Sequence, residues 1–238
     1  MIQPSQPHPH PNARRHRPGL LRFSAAQFLI ALVITLFAYP FIEEFKYGEI
    51  YEALLLTLTL STAVLAVGRR RRTLVIATLL MLPALIGKWL NHFLPNTLPA
   101  TFFLAASILC IGFVVFQLFH YILQATDVDS EVLCAAVATY LMIGLLWAFA
   151  YKFLDTVAPL SFVYTSGPPS AHTMNGFTGI YFSLCTLSTV GFGDIVPVSN
   201  IGRMLAAAES ITGVFYGTIL IARLVALYST KRPPTPAH

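Results

Sequence analysis

The chain has 238 residues, 56% of them hydrophobic and 11% charged, with a formal net charge of +5. A soluble domain averages roughly 45–50% apolar and about 25% charged residues, so this composition excludes an ordinary water-soluble enzyme and describes an integral membrane protein. Nor does the positive charge describe a nucleic-acid binder, because the basic residues gather at the ends of apolar segments, where they set membrane orientation.

Residues 1–23 are rich in Pro, His and Arg and contain no long apolar run, which predicts a disordered basic tail and not a signal peptide. His8, His10 and His16 could ligate a metal, but alternating His-Pro without a second ligand cluster is a weak signal for one. Apolar segments come next at 24–42, 50–67, 73–90, 98–122, 132–150 and 204–228. Each is close to the ~20 residues a helix needs to cross hydrocarbon. The expected fold is therefore an all-α membrane protein of six transmembrane helices. Its parts are a four-helix scaffold over 24–125, a pore domain over 130–229 and a short tail over 230–238. A seventh apolar piece, 177–188, is too short to cross and is expected to enter the membrane and return. Cys110, Cys134 and Cys185 sit inside apolar stretches without paired or metal-ligand spacing and read as packing residues.

Sidedness is set by three basic clusters: Arg14, Arg15, Arg17 and Arg22 before the first segment, Arg69, Arg70, Arg71 and Arg72 between the second and third, and Lys231 and Arg232 after the last. With six crossings all three fall on one face, which the positive-inside rule makes cytoplasmic. Both termini are then inside and residues 157–201 outside. The connection carrying Asp127, Asp129 and Glu131 lacks the expected positive charge, though acidic residues count little in that rule. Arg69 to Arg72 read first as a topology determinant and second as a patch for anionic lipid headgroups.

The chemistry is concentrated at Thr189-Val190-Gly191-Phe192-Gly193-Asp194, between the short apolar piece and the last segment. To pass K+ quickly, a site must replace the ion's water shell with oxygens that hold it without trapping it, a task suited to backbone carbonyls. Turning successive carbonyls to one side needs backbone angles that most L-residues resist, and glycine at alternate positions removes the objection. Gly191 and Gly193 have that spacing. The expected K+ ligands are the carbonyls of Thr189, Val190, Gly191 and Phe192 with the Thr189 hydroxyl, while the Val190 and Phe192 side chains point away.

This hexapeptide, preceded by a short apolar helix and succeeded by Pro197 and a long helix beginning near Gly202-Arg203, resembles the selectivity filter of the potassium channel superfamily. Phe192 stands where many members carry tyrosine. The resemblance covers about 132–228 and implies a homotetramer, three identical subunits completing the filter, with K+ as permeant ion and no cofactor. It further implies that Tyr181 and Phe182 belong to an aromatic belt bracing the filter, and that Asp194 bonds to the pore helix behind the outer mouth. Cys185 stands where some relatives offer a carboxyl group to that aspartate. Without a filter tyrosine hydroxyl, weaker selectivity or inactivation becomes plausible.

In the last segment Gly213 falls where relatives bend the inner helix, and Gly217 offers a second point; close helix packing explains either glycine equally well. Ala222 and Ala226 could line the inner mouth. Glu209 is the least expected residue, since an acid within a spanning helix needs a partner or water. It either draws cations to the cavity or sits behind the pore helix, bonded to hydroxyls such as Thr186; four like charges around one axis disfavour the former. Six helices invite comparison with voltage-gated channels, yet no Lys or Arg occurs between Lys88 and Lys152, so the fourth segment offers no charge for a conventional voltage sensor. His172 in the outer loop could sense protons, although a lone loop histidine is usually only solvated. A weakly selective cation channel and a non-conducting regulatory subunit are the rivals. An enzyme is not indicated, for no nucleophile–base pair, metal cluster or phosphate loop appears outside the helices. Short loops and tails resemble bacterial channels and imply an inner-membrane location.

Overall fold

The structure, a computed structural model, describes residues 24–42, 48–67, 71–93, 99–126, 129–165 and 172–229. His8, His10, His16, the arginines before residue 23, Arg69, Arg70, Asp127, Lys231 and Arg232 lie outside the described residues. In chain order the elements are α1 (Ala25–Ile42), α2 (Gly48–Val67), α3 (Arg71–Phe93), α4 (Ala100–Gln124), α5 (Ser130–Val157), β1 (Phe162–Tyr164), α6 (Gly176–Leu187), β2 (Ile195–Pro197) and α7 (Asn200–Ser229).

Among the described residues, α1, α4, α5 and α7 as far as Arg223 are long and apolar enough to cross a membrane. The apolar part of α2 is the shorter Ala53–Ala66. Helix α3 opens on Arg71 and Arg72 and carries Lys88 near its other end, so length and composition alone carry four crossings.

The helix starts are locally encoded. Asp129 caps α5, its side chain accepting from the Val132 N–H at 2.9 Å. Ser199 does the same for α7, its Oγ accepting from the Gly202 N–H at 3.0 Å. Helix α4 starts directly after Pro99.

Helix α5 is the spine of the molecule. Its Val132, Ala136, Met142, Ile143, Leu145, Tyr151 and Leu154 are distributed over all four apolar clusters. Membrane helices associate through close packing and not through the hydrophobic effect, and the small residues Ala135, Ala138, Gly144 and Ala148 of α5 are buried accordingly. Phe28 and Leu32 of α1 and Ile111 and Val114 of α4 pack in the same cluster as Ala138 and Met142.

Two ties define one end of the bundle. The Ser24 hydroxyl and the Ala25 N–H at the start of α1 both donate to the carboxylate of Glu131 at the start of α5. Close by in the chain, Arg223 Nη2 donates to the carbonyls of Leu123 and Ala125, which close α4, at 3.0 and 2.9 Å. This places the C-terminal end of α7 beside that of α4.

The all-α expectation needs one correction. Residues 162–164 and 195–197 form a two-stranded antiparallel sheet in the register Phe162↔Pro197, Val163↔Val196 and Tyr164↔Ile195. Three-residue strands are too short to show a two-residue periodicity, but the sheet matters: it clamps the chain immediately after Asp194.

Candidate functional site: the segment after the short helix

Helix α6 ends at Leu187, and its C-terminal carbonyls organise residues 189–191. The Cys185 carbonyl accepts from the N–H groups of both Val190 and Gly191, at 2.9 and 3.2 Å, and the Thr186 carbonyl accepts from Thr189 N–H at 3.0 Å. Cys185 thus supports the segment through its backbone. The negative end of the α6 dipole also faces this segment, a favourable setting for a cation.

From Thr189 onward the backbone alternates. Thr189, Gly191 and Gly193 have φ of 60°, 53° and 78°, with ordinary residues between them. A Cβ built on Gly191 or Gly193 would meet nothing within 4 Å, so glycine is required there for its backbone freedom and not for space. The left-handed Thr189 was not anticipated. A β-branched residue at positive φ is a genuine outlier, and such strain persists where the surroundings impose it. Residues 188–193 are all exposed, Phe192 at 69%.

Asp194 has the partner that the sequence left open. Tyr181 Oη donates to Asp194 Oδ2 at 2.9 Å, and the Ile195 N–H donates to Oδ1 at 3.1 Å. The Tyr181 ring lies parallel to Phe192, centroids 6.3 Å apart and planes 2° from coincidence. Phe182, adjacent on α6, points elsewhere: it meets Tyr151 and Phe162 edge-on, at 4.8 and 5.6 Å. It braces the short helix against α5 and β1, while Tyr181 alone reaches the segment. From the far side the Asp194 carbonyl accepts from Thr165 N–H and Thr165 Oγ1, at 2.8 and 3.0 Å.

Tyr181→Phe keeps the ring and removes one hydrogen bond to a carboxylate, a contact worth ~1.5–3 kcal/mol and near the lower end for this partly exposed pair. The expected result is a lower melting temperature of the detergent-solubilised protein with its helical content unchanged.

Glu209 is fully buried. Tyr151 Oη and Ser183 Oγ lie in hydrogen-bonding contact with its two carboxyl oxygens, so the partner is Ser183 and not Thr186. The Thr186 hydroxyl donates back to the Phe182 carbonyl at 2.8 Å, and its own carbonyl accepts from Ser210 Oγ at 3.2 Å. Gly213 packs so closely on α6 that a Cβ would collide with the Leu187 carbonyl oxygen, whereas one on Gly217 would meet nothing within 4 Å. Ala222 and Ala226 are exposed, as are Arg71 and Arg72. His172 stacks on Tyr164, with centroids 5.1 Å apart. Burial and the nearby Asp155 charge push the Tyr164 phenol up from its ordinary value. No group of three His, Cys, Asp or Glu residues that could hold a metal ion occurs among the described residues.

Residues 132–230 match a family described as Ion channel. This segment is similar to potassium channels. A calcium-gated potassium channel, TvoK, of Thermoplasma volcanium is 50% identical over 40 residues, which are 17% of this chain and 12% of the relative. The two-pore potassium channel 1 of Arabidopsis thaliana is 37% identical over 71 residues, 29% of this chain and 18% of its own length. For the voltage-gated potassium channel Kch of Escherichia coli the figures are 30% over 105 residues, 44% and 23%. The chain spans less than a quarter of the length of each of these relatives. No solved structure matches the chain significantly. The matched residues include most of α5, the short helix, the alternating backbone and α7.

Proposed function

We propose that the chain is one subunit of a homotetrameric K+-selective channel, with the carbonyls of Thr189, Val190, Gly191 and Phe192 and the Thr189 hydroxyl as the ion's ligands. The observation that carries this reading is the alternation of positive φ at Thr189, Gly191 and Gly193 in an exposed segment held by the end of α6. One such strand leaves most of an ion's surroundings empty, and the potassium filter is built from four around one axis. The exposed apolar side chains of α7, including Met204, Ile211, Val214 and Phe215, support burial against further copies.

The reading includes six crossings, with α2 and α3 completing an alternating bundle and both termini on the cytoplasmic face of a bacterial inner membrane. The contact between the starts of α1 and α5 fits an even number of crossings between them, two or four, and so does not itself choose six crossings over four. The absence of Lys and Arg from α4 supports conduction without a conventional voltage sensor, as a passive transport protein and not an enzyme.

The test is the reversal potential of purified protein in a planar bilayer under opposed K+ and Na+ gradients. Reversal near the K+ equilibrium potential is expected. Reversal near zero would assign the weakly selective alternative, and silence from a demonstrated tetramer would mean either a gate held shut for want of its stimulus or a regulatory subunit.

A further inference from the structure

Glu209 of α7 sits where side chains of α5 and α6 converge on it, and the hydrogens there can be counted. Ser183 Oγ of α6 lies 2.6 Å from the Gly144 carbonyl of α5 and 2.5 Å from Glu209 Oε1 of α7. Tyr151 Oη of α5 touches the other carboxyl oxygen, Oε2. These are three oxygen–oxygen contacts, and each needs one hydrogen between its partners. Tyr151 and Ser183 supply one apiece. The Gly144 carbonyl has none to give and can only accept. If Ser183 donates to Gly144, the hydrogen between Ser183 and Oε1 has a single remaining source, the carboxyl group itself.

We infer that Glu209 functions as a neutral carboxylic acid that donates to Ser183 Oγ, so that Tyr151, Glu209, Ser183 and the Gly144 carbonyl form one directional chain of hydrogen bonds joining α7, α6 and α5. An ionised Glu209 would leave Ser183 with one hydrogen for two short contacts. It would also place an unpaired charge in a fully buried site, since no basic group is among its partners in the described residues; the titratable groups facing it are the phenols of Tyr151 and Tyr140 on α5. A neutral acid donates and accepts at once, and this site asks for both. Ser183 lies on the helix that carries the Thr189–Gly193 segment, so Glu209 is a positioning residue. It fixes the rotation of α6 relative to α7 without touching the ion's path.

The protonation state does not depend on the pore reading; only the functional consequence does. Infrared spectra of the detergent-solubilised full chain at neutral pH are expected to show a protonated-carboxyl C=O band, well separated from the carboxylate bands of the water-exposed acids. Glu209→Gln should remove it, and Ser183→Ala, which deletes the acceptor, should move it to higher frequency. In bilayers Glu209→Gln, whose amide reproduces the donor and acceptor, should keep K+ current within threefold of the parent, whereas Glu209→Ala should lose at least tenfold. Absence of a protonated-carboxyl band from the parent chain, or a band unmoved by Ser183→Ala, would overturn the inference even if K+ currents are normal. A band that behaves as expected in a protein passing no K+ would leave the inference standing and count against the pore reading.

Discussion

Gly191→Ala is expected to lower K+ conductance at least tenfold and to move the reversal potential toward zero, with Gly193→Ala behaving alike. The penalty is conformational. At φ of 53° and 78° a side chain costs ~1–2 kcal/mol, which becomes ~4–8 kcal/mol summed over the four subunits of the proposed tetramer. The strand can escape that cost by rotating the peptide plane, and the rotation removes a carbonyl from the line of ligands. Because a Cβ at either glycine meets no neighbouring atom within 4 Å, assembly should survive, and native-gel migration should match the parent. That separation of function from assembly distinguishes a backbone requirement from a packing one. A Gly191→Ala protein that still reverses at the K+ equilibrium potential would sink the assignment of these carbonyls as ligands.

The alternating glycines make the left-handed backbone at Gly191 and Gly193 legible in the sequence alone, because glycine adopts positive φ without steric cost. Its supports are harder to read. Asp194 is 13 residues from Tyr181, and only the rotation of α6 decides that Tyr181 faces it while Phe182, one residue on, faces α5. The same rotation decides Glu209's partner. Gly179, Ile180, Ser183 and Leu187 are buried along one face of α6, the spacing of a helical stripe. Phe182 is buried as well, and around the helix Thr186 falls between it and Gly179, so spacing alone does not choose between Ser183 and Thr186. Nothing local announces the left-handed Thr189. Its conformation is imposed by the Cys185 and Thr186 carbonyls that anchor residues 189–191, a constraint that exists only once α6 has folded. The short strands at 162–164 and 195–197 are equally a product of tertiary pairing.

Gly213 and Gly217 are indistinguishable as letters, and the structure separates them into opposite predictions. Gly213→Ala is expected to weaken the proposed tetramer and cut its current strongly, because the added carbon would run into the carbonyl oxygen of Leu187 and lies 3.2 Å from Leu187 Cδ1. Overpacking of this kind costs ~1–3 kcal/mol. Leu187 is the last residue of α6, two before Thr189, so relief by moving α6 distorts the start of the Thr189–Gly193 segment, and relief by moving α7 breaks its contact with α6. Gly217→Ala meets no atom and improves helix propensity by ~0.8–1.0 kcal/mol, so heating of the solubilised complex should show equal or higher stability. Its effect on current tests where α7 bends. Tyr216 Oη donates to the Ala136 carbonyl at 2.7 Å and Arg223 is held by the end of α4, which leaves 217–222 as the span between two anchors. A severalfold fall in open probability for Gly217→Ala, at unchanged reversal potential, would locate the bend there. Equal losses of assembly from both alanines would instead mean that neither glycine is free in the assembled protein, and that α7 is packed as tightly below Tyr216 as it is against Leu187.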